Sequence, residues 1–364
     1  MFTIKLLPSY FLELQKRLGL MPNSISPLER LSQVFAGAAP EEDSQASLPV
    51  AEDDLRAAMV ALCQPTQRVH IRIGGNFAVP EQYLLARAAT GPALAGVEVA
   101  ADGQLVLQAF ASGEELIEWL IDVINPQGLM HAAPCRIPRQ MTHSQLVHAL
   151  HLIDMYRRCY YQSMLDYTVA GEPEFGEVQF AGTMGEALTS VDYRWVLPSA
   201  RIMAPTSLPL SMETQIPWLV ANNLIQPATD AAGAGLWTFA EDGEQLGLEF
   251  MTGWLAAAGV EVGVLDGQFK RCDGSVLVLS TVRSMHTFAI SGRGAEYQAA
   301  GDEGLRQSLQ NTLAQGPSSR VVAAPAAGRD QPPAQRFCSQ CGAKIQPGDK
   351  FCCSCGRPVV TLVS

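Results

Sequence analysis

Five of the chain's nine cysteines fall in its last 29 residues, as Phe337-Cys338-Ser339-Gln340-Cys341-Gly342, eight further residues, and then Phe351-Cys352-Cys353-Ser354-Cys355-Gly356. A Cys-x-x-Cys pair lets two sulfurs converge on one ion from a single tight turn. Two such turns complete the tetrahedral thiolate shell that Zn²⁺ accepts without strain. With Cys338, Cys341, Cys352 and Cys355 as ligands, no coordination position is left for water. The expected ion is therefore structural and is no Lewis acid for hydrolysis. Gly342 and Gly356 follow the second cysteine of each pair, where the chain curls back and amides approach the sulfurs. Cys353 stands beside Cys352, but its spacing to Cys355 suits a shared ion less well, which leaves it as a spare thiol. Mononuclear iron uses the same ligand set, though with a longer insertion between the pairs. A disulfide framework would expect a secretion signal, and none is recognisable at the N-terminus.

The segment resembles the short zinc-ribbon module found at the ends of many bacterial proteins, through the paired Phe-Cys-x-x-Cys-Gly motifs of residues 336–357. Such modules share a metal site and occur in proteins of unrelated function. The resemblance implies a fold and an ion and leaves activity open. So short a segment buries no core of its own, and metal binding would supply most of its folding free energy, about 10 to 16 kcal/mol near neutral pH. Pro347-Gly348 signals a turn in the spacer, between two short segments able to pair as a ribbon.

The rest of the chain offers weaker chemistry. His148, His151 and Asp154 recur every third residue of a predicted helix, with His143 five positions before His148. Two imidazoles on one helix face can share a metal, but a third ligand is missing and Arg158 stands ready to pair with Asp154, so partly buried histidines are the expected reading. Gly74-Gly75-Asn76 reads as a tight turn, since it lacks both the Gly-x-Gly-x-x-Gly spacing and a following Lys-Ser/Thr. Tyr156, Tyr160, Tyr161 and Tyr167 with Arg157 and Arg158 could be taken for a nucleic-acid stacking platform. On a helix they point several ways, and packing or interdomain contact is expected instead. There is no Gly-x-Ser-x-Gly elbow, His-Glu-x-x-His helix, phosphate-binding loop or deaminase-type His-x-Glu pattern. Nucleophiles whose partners assemble only in the fold stay open.

These residues must be positioned by a body large enough for two ordinary domains, at 364 residues and 48% apolar content. No apolar run approaches the length of a membrane span, and a soluble cytoplasmic protein is expected. The net charge is −11, and residues 336–357 carry Arg336, Lys344, Lys350 and Arg357 against Asp349, or +3. Four thiolates with one Zn²⁺ would bring the ribbon to about +1, leaving −14 on the remainder and no evident footprint for phosphate backbones. The pattern predicts an α+β protein: two mixed units with antiparallel hairpins, joined by a long helix, plus a tethered zinc ribbon. Residues 1–50 form a helical or irregular lead-in, 51–128 a first unit, 129–170 the connecting helix and 171–292 a second unit. Residues 293–335 end in a flexible linker rich in Ala, Pro, Gly and Gln, and 336–364 form the ribbon.

Within this frame, helices are predicted at 52–62, 80–89, 113–124, 143–167 and 212–225. Ser112 and Thr142 open capping boxes for the third and fourth. Strands are predicted at 68–73, 96–100 and 104–110, the last two joined by an Asp102-Gly103 turn. Further strands are expected at 177–181, 191–197, 235–240, 245–250, 260–264, 275–281 and 285–290. The stretches beginning at Gly96 and Gly235 both run strand, acidic-glycine turn, strand, a faint internal echo. The inventory points to an interaction or adaptor protein whose partner is another protein. An enzyme with its site in the body is one alternative, and a nucleic-acid-associated protein acting through the ribbon is the other.

Overall fold

The computed structural model describes residues 1–31, 34–35, 50–75, 80–126, 128, 130–167, 173–204, 208, 214–230, 232–266, 268–298, 301–314, 336–337 and 344–345, with backbone alone at 29–30, 265–273, 336–337 and 344–345. Residues 36–49 of the expected lead-in and 315–335 of the segment expected to end in a linker lie outside these residues. Two units separate, residues 1–319 and 320–364.

The larger unit opens with β1 (Phe2–Leu6), α1 (Pro8–Arg17) and a 3₁₀ turn, Pro27–Leu31. A first pass follows: α2 (Glu52–Cys63), β2 (Pro65–Gly75), β3 (Glu81–Ala88), β4 (Leu94–Val99), β5 (Leu105–Phe110) and α3 (Gly113–Ile124). An insert supplies β6 (His131–Ala132), β7 (Gln140–Met141), α4 (His143–Leu165), β8 (Glu174–Phe175), α5 (Glu177–Thr189), α6 (Val196–Met203), α7 (Ile216–Ala221), β9 (Ile225–Thr229) and β10 (Gly235–Phe239). The second pass is α8 (Glu241–Gly253), β11 (Trp254–Asp266), β12 (Gln268–Thr281), β13 (Ser284–Ser291), β14 (Gly294–Gln298) and α9 (Gly301–Leu313). The two passes repeat one order, helix, four strands, helix. Elements that start at residues 52, 65, 81, 94, 105 and 113 recur at 241, 254, 268, 284, 294 and 301, an offset of 187 to 190.

One large sheet holds both passes, in the order β1-β5-β4-β3-β2-β11-β12-β13-β14-β7 with antiparallel neighbours, and β6 lies parallel to the start of β13. The seam is the pairing of the two equivalent strands, β2 with β11, centred on Ile71 opposite Val260. Side chains alternate across the strands, so each strand feeds two cores. On one face Val69, Ile71, Leu85, Val260, Val276 and Val278 pack under α3 and α9. On the other, the first pass is covered by α1 and α2, and the second by the helices of the insert with α8. Burial on both faces explains the nearly unbroken apolar run Val276–Leu279. At the seam Arg72 Nη1 lies 2.9 Å from Glu261 Oε2 and donates to the Met203 carbonyl at 3.2 Å, with both charged side chains buried.

The capping residues act as expected at Thr142, where both halves of the box form with Gln145. At Ser112 the hydroxyl accepts from Glu115 N, but the Glu115 carboxylate reaches Ala111 N, one residue further back. Gly103 takes the positive φ its turn requires, +79°.

Several element types are corrected. The helix expected at 80–89 is strand β3: its Glu, Gln, Leu, Arg and Ala favour helix locally, but β2 and β4 hydrogen-bond both of its edges. The strands expected at 177–181 and 245–250 are helices α5 and α8, whose buried residues fall at helical spacing, Phe180, Met184, Ala187 and Leu188 in one and Leu246 and Phe250 in the other. The strand expected at 191–197 is a loop and the first turn of α6, because a buried carboxylate from α4 binds that turn's amides. Of the helix expected at 212–225, residues 212 and 213 lie outside the described residues, and the described part holds only the short α7. Strand β1 was hidden within the stretch read as helical or irregular. The echo at Gly96 and Gly235 does not match equivalent elements, since Gly235–Phe239 belongs to a separate sheet, β8-β10-β9.

Candidate interaction surface

From Leu146 to Arg157 α4 is buried, polar residues included, and its two histidines and its aspartate bond to the backbone. His148 Nδ1 donates to Ser144 O at 2.8 Å, and His151 Nε2 donates to Phe180 O at 3.0 Å. Burial drives the His151 pKa down to about 3, so the ring is neutral at physiological pH. Asp154 accepts from Val196 N at 2.8 Å and Leu197 N at 2.9 Å, with Arg157 Nη1 at 3.5 Å. Burial still raises its pKa to about 6, the amides and Arg157 opposing. His148, His151 and Asp154 are thus committed to backbone partners, and among the described residues no three metal-ligating side chains come together.

Asp154 does positional work. By holding the start of α6 it fixes Trp195 against α4, where the Arg158 guanidinium lies 4.5 Å and that of Arg157 5.2 Å from the indole centroid. Tyr161, one turn on, meets the same ring edge-on at 6.4 Å. Beyond this stack the helix runs past its neighbours. Tyr161 is 39% exposed, Met164 60%, Leu165 72% and Tyr167 95%. Tyr167 closes the helix in the left-handed region, φ 52°, a conformation glycine commonly supplies. Val178 and Val191, on the flanking α5 and the following loop, are exposed as well. Single exposed apolar residues are ordinary, but aromatic, methionine, leucine and arginine side chains gathered at a projecting helix end match the composition of binding centres. Of the tyrosines expected to serve packing or interdomain contact, Tyr156 is buried in the core, whereas Tyr161 and Tyr167 are exposed. Trp195 had no sequence signal, being 34 positions from Tyr161 along the chain.

The remaining histidines are distributed as follows. His70 bonds Arg72 and Gln82 beside the seam, His143 donates to Ser291 O, and His131 is exposed on β6. His286 meets a carboxylate, Glu249 Oε1 at 3.0 Å, and the Tyr297 hydroxyl at 3.1 Å. Burial works against the Glu249 charge, yet hydrogen bonds from His286, Ser284 and Thr281 hold its pKa below the usual carboxylate range. His286 is 1% exposed and Tyr297 2%, and the cluster ties α8 to β13 and β14.

Cys338, Cys341, Cys352, Cys355 and Cys353 lie outside the described residues. In the smaller unit β15 (Arg336–Phe337) pairs antiparallel with β16 (Lys344–Ile345), Arg336 opposite Ile345, so the two strands bracket the first Cys-x-x-Cys stretch. Among the described residues no helix is long and apolar enough to cross a membrane.

No family model matches this chain, and no curated protein does. Among solved structures it is similar to a chain in the structure of the Mycobacterium tuberculosis type VII secretion system chaperone EspG5 in complex with a PE25-PPE41 dimer, at 11% identity and a TM-score of 0.40, covering 88% of this chain and 98% of that one. A likeness of 0.40 assigns this chain neither that protein's fold nor its role.

Proposed function

We propose that this protein binds another protein through the end of α4, and that its C-terminal segment, folded around one structural zinc held by Cys338, Cys341, Cys352 and Cys355, is a second docking element. The observation that carries the reading is the exposed group Tyr161, Met164, Leu165 and Tyr167 standing on the Arg158–Trp195 stack. Covering apolar surface stabilises a complex by roughly 25 cal/mol per Å² before association costs. Tyr161, already held against Trp195, loses less entropy on binding. Two modules on one chain raise avidity without any catalytic group. The donor set fits zinc by its chemistry, four soft thiolates in two tight turns, and the ion would fold the segment without reacting. Cytoplasmic work suits these thiolates, which stay reduced there.

The test places a photo-crosslinking residue at position 167 and, as a control, at exposed Val282. Position 167 should give a discrete adduct that disappears in a Met164→Asp/Leu165→Asp variant, and position 282 should not. Equal labelling from both positions, or an adduct indifferent to the variant, would refute the α4 end as the binding centre. For zinc, native mass spectrometry of protein purified under reducing conditions should show one ion per chain, lost in Cys338→Ser and in Cys355→Ser. Metal-free protein would refute the site.

A further inference from the structure

The two passes fill one equivalent place differently. Strand register identifies the matching residues. Ile71 and Val260 face each other at the seam, and Ile71 pairs with Tyr83 as Val260 pairs with Val276. Further out, Leu85 pairs with Gly96 as Val278 pairs with Thr287, and Gly96 with Gln108 as Thr287 with Gln298. By this register Glu81, Tyr83 and Glu98 of the first pass correspond to Gly274, Val276 and Ala289 of the second. In the first pass the Tyr83 hydroxyl donates to the Glu81 carboxylate at 2.6 Å, and its ring meets Trp119 of α3 edge-on at 5.1 Å. The second pass has a hydrogen and a methyl group where the first has two carboxylates, and a buried valine where it has the phenol. A cavity of about 530 Å³ is left there, bordered by Gly274 and Ala289 on the sheet and by Ser308, Asn311 and Thr312 of α9.

The polar groups of this cavity are not all consumed by the fold. Thr312 is 5% exposed, yet its hydroxyl has no hydrogen-bond partner among the described residues. The Asn311 amide oxygen accepts from Gln307, which leaves its NH₂ group to donate. Arg293 also borders the cavity, and among the described residues no carboxylate pairs with it, whereas Glu296 is paired with Arg139 at 2.9 Å. One uncompensated positive charge is therefore left at the cavity.

We propose that this cavity binds a small aromatic carboxylate. The ring covers Gly274 and Ala289, where the first pass supplies its own phenol and carboxylates, and the ligand's carboxylate pairs with Arg293. A guanidinium and a carboxylate form charge-assisted, often bidentate hydrogen bonds. Thr312 and Asn311 supply hydrogen bonds to a polar ring substituent. The volume falls within the range of about 300 to 1,000 Å³ usual for small-molecule sites. A neutral ring would leave Arg293 without a counter-charge, and a cationic one would meet its repulsion. The site is separate from the α4 end and stands or falls without it.

Calorimetric titration of the full chain with para-hydroxybenzoate, para-hydroxybenzamide and acetate tests the proposal. Para-hydroxybenzoate should bind with a dissociation constant of about 1 mM, and the uncharged amide about tenfold more weakly. Acetate, which lacks the ring, should give no heat of binding. Arg293→Gln, an exposed position, should bring para-hydroxybenzoate down to the level of the amide. Ala289→Glu, which restores the first-pass residue, should abolish binding. Silence of para-hydroxybenzoate at about 10 mM would overturn the proposal. So would acetate binding as well as para-hydroxybenzoate, the amide matching the acid, or binding that ignores both Arg293→Gln and Ala289→Glu.

Discussion

Gly243 and Gly247 stand one turn apart on α8, and at each another part of the chain comes too near for a side chain. A Cβ added at Gly247 would lie 2.6 Å from Cβ and Cδ1 of Tyr156, and closer still to its Cγ. Gly247→Ala therefore tests whether α4 and α8 cross this tightly. Two effects oppose each other. Alanine favours a helix over glycine by about 1 kcal/mol, whereas overpacking a core costs about 1 to 3 kcal/mol when the neighbours can shift. Tyr156 has little room to move. The clash falls on the root of its side chain, and its ring is buried, with Phe239 edge-on at 5.0 Å. The steric cost then sits at the upper end of that range, and the net loss is about 2 kcal/mol. Gly182 on α5 is the control, since nothing lies within 4 Å of the Cβ it lacks. Alanine there keeps the helical gain of about 1 kcal/mol alone. Urea unfolding followed by circular dichroism should move the midpoint down for Gly247→Ala and up for Gly182→Ala, a spread of about 3 kcal/mol. A Gly247→Ala protein as stable as the parent, beside a Gly182→Ala protein that shows its gain, would refute the close crossing of α4 and α8.

Three further outcomes follow from buried charge and backbone geometry. Arg72→Met should cost about 3 to 5 kcal/mol by taking the guanidinium away from the buried Glu261 carboxylate at the seam, and Arg72→Met/Glu261→Leu should recover most of it, read by chemical denaturation of both variants. Burial lowers the His151 pKa from the ordinary 6.5 of a free histidine to about 3, so its contribution to stability is present above pH 6.5 and is lost as pH falls from 6.5 toward 3. His151→Gln, which keeps a donor for Phe180 O, should flatten the pH dependence of the unfolding midpoint over that window. Tyr167→Gly should raise the melting temperature by relieving about 1 kcal/mol of left-handed backbone strain, while weakening capture of the partner.

Local chemistry was the legible part of the fold. Thr142-His-Ser-Gln145 announced α4, Ser112-Gly-Glu-Glu115 announced α3, and Asp102-Gly103 announced the hairpin, because caps and tight turns are decided by residues a few positions apart. Where neighbours in space decide, the sequence misled. Glu81–Ala88 is built from helix formers and is a strand only because β2 and β4 flank it, and 245–250 reads as a strand although it is a helix whose Gly243 and Gly247 are required by close packing. The surface was half legible: the tyrosines and arginines of α4 were visible as a cluster, but which of them project depends on where the packing helices stop. Trp195, held in place by Asp154, comes from outside that stretch altogether.

The repeated order of helix, four strands and helix was hidden for a physical reason that the capping helices show. In α3 the buried residues are Leu116, Ile117, Leu120, Ile121 and Ile124, whereas α9 keeps Leu305, Leu309 and Leu313 at the same four-residue spacing and carries Arg306 and Gln310 where α3 has Ile117 and Ile121. Arg306 instead pairs with Glu114 and Glu118 of α3, so the two helices meet through ion pairs at the surface and through leucines beneath. The two copies are complementary where they touch and have no need of identical sequence. The same division of labour applies to the whole molecule. The repeats supply a sheet closed by its own seam and covered on both faces. The insert between them contributes α4, whose first four turns are consumed by the core and whose last turns are left over. The core's demand on α4 ends near Cys159, and most residues beyond it are exposed.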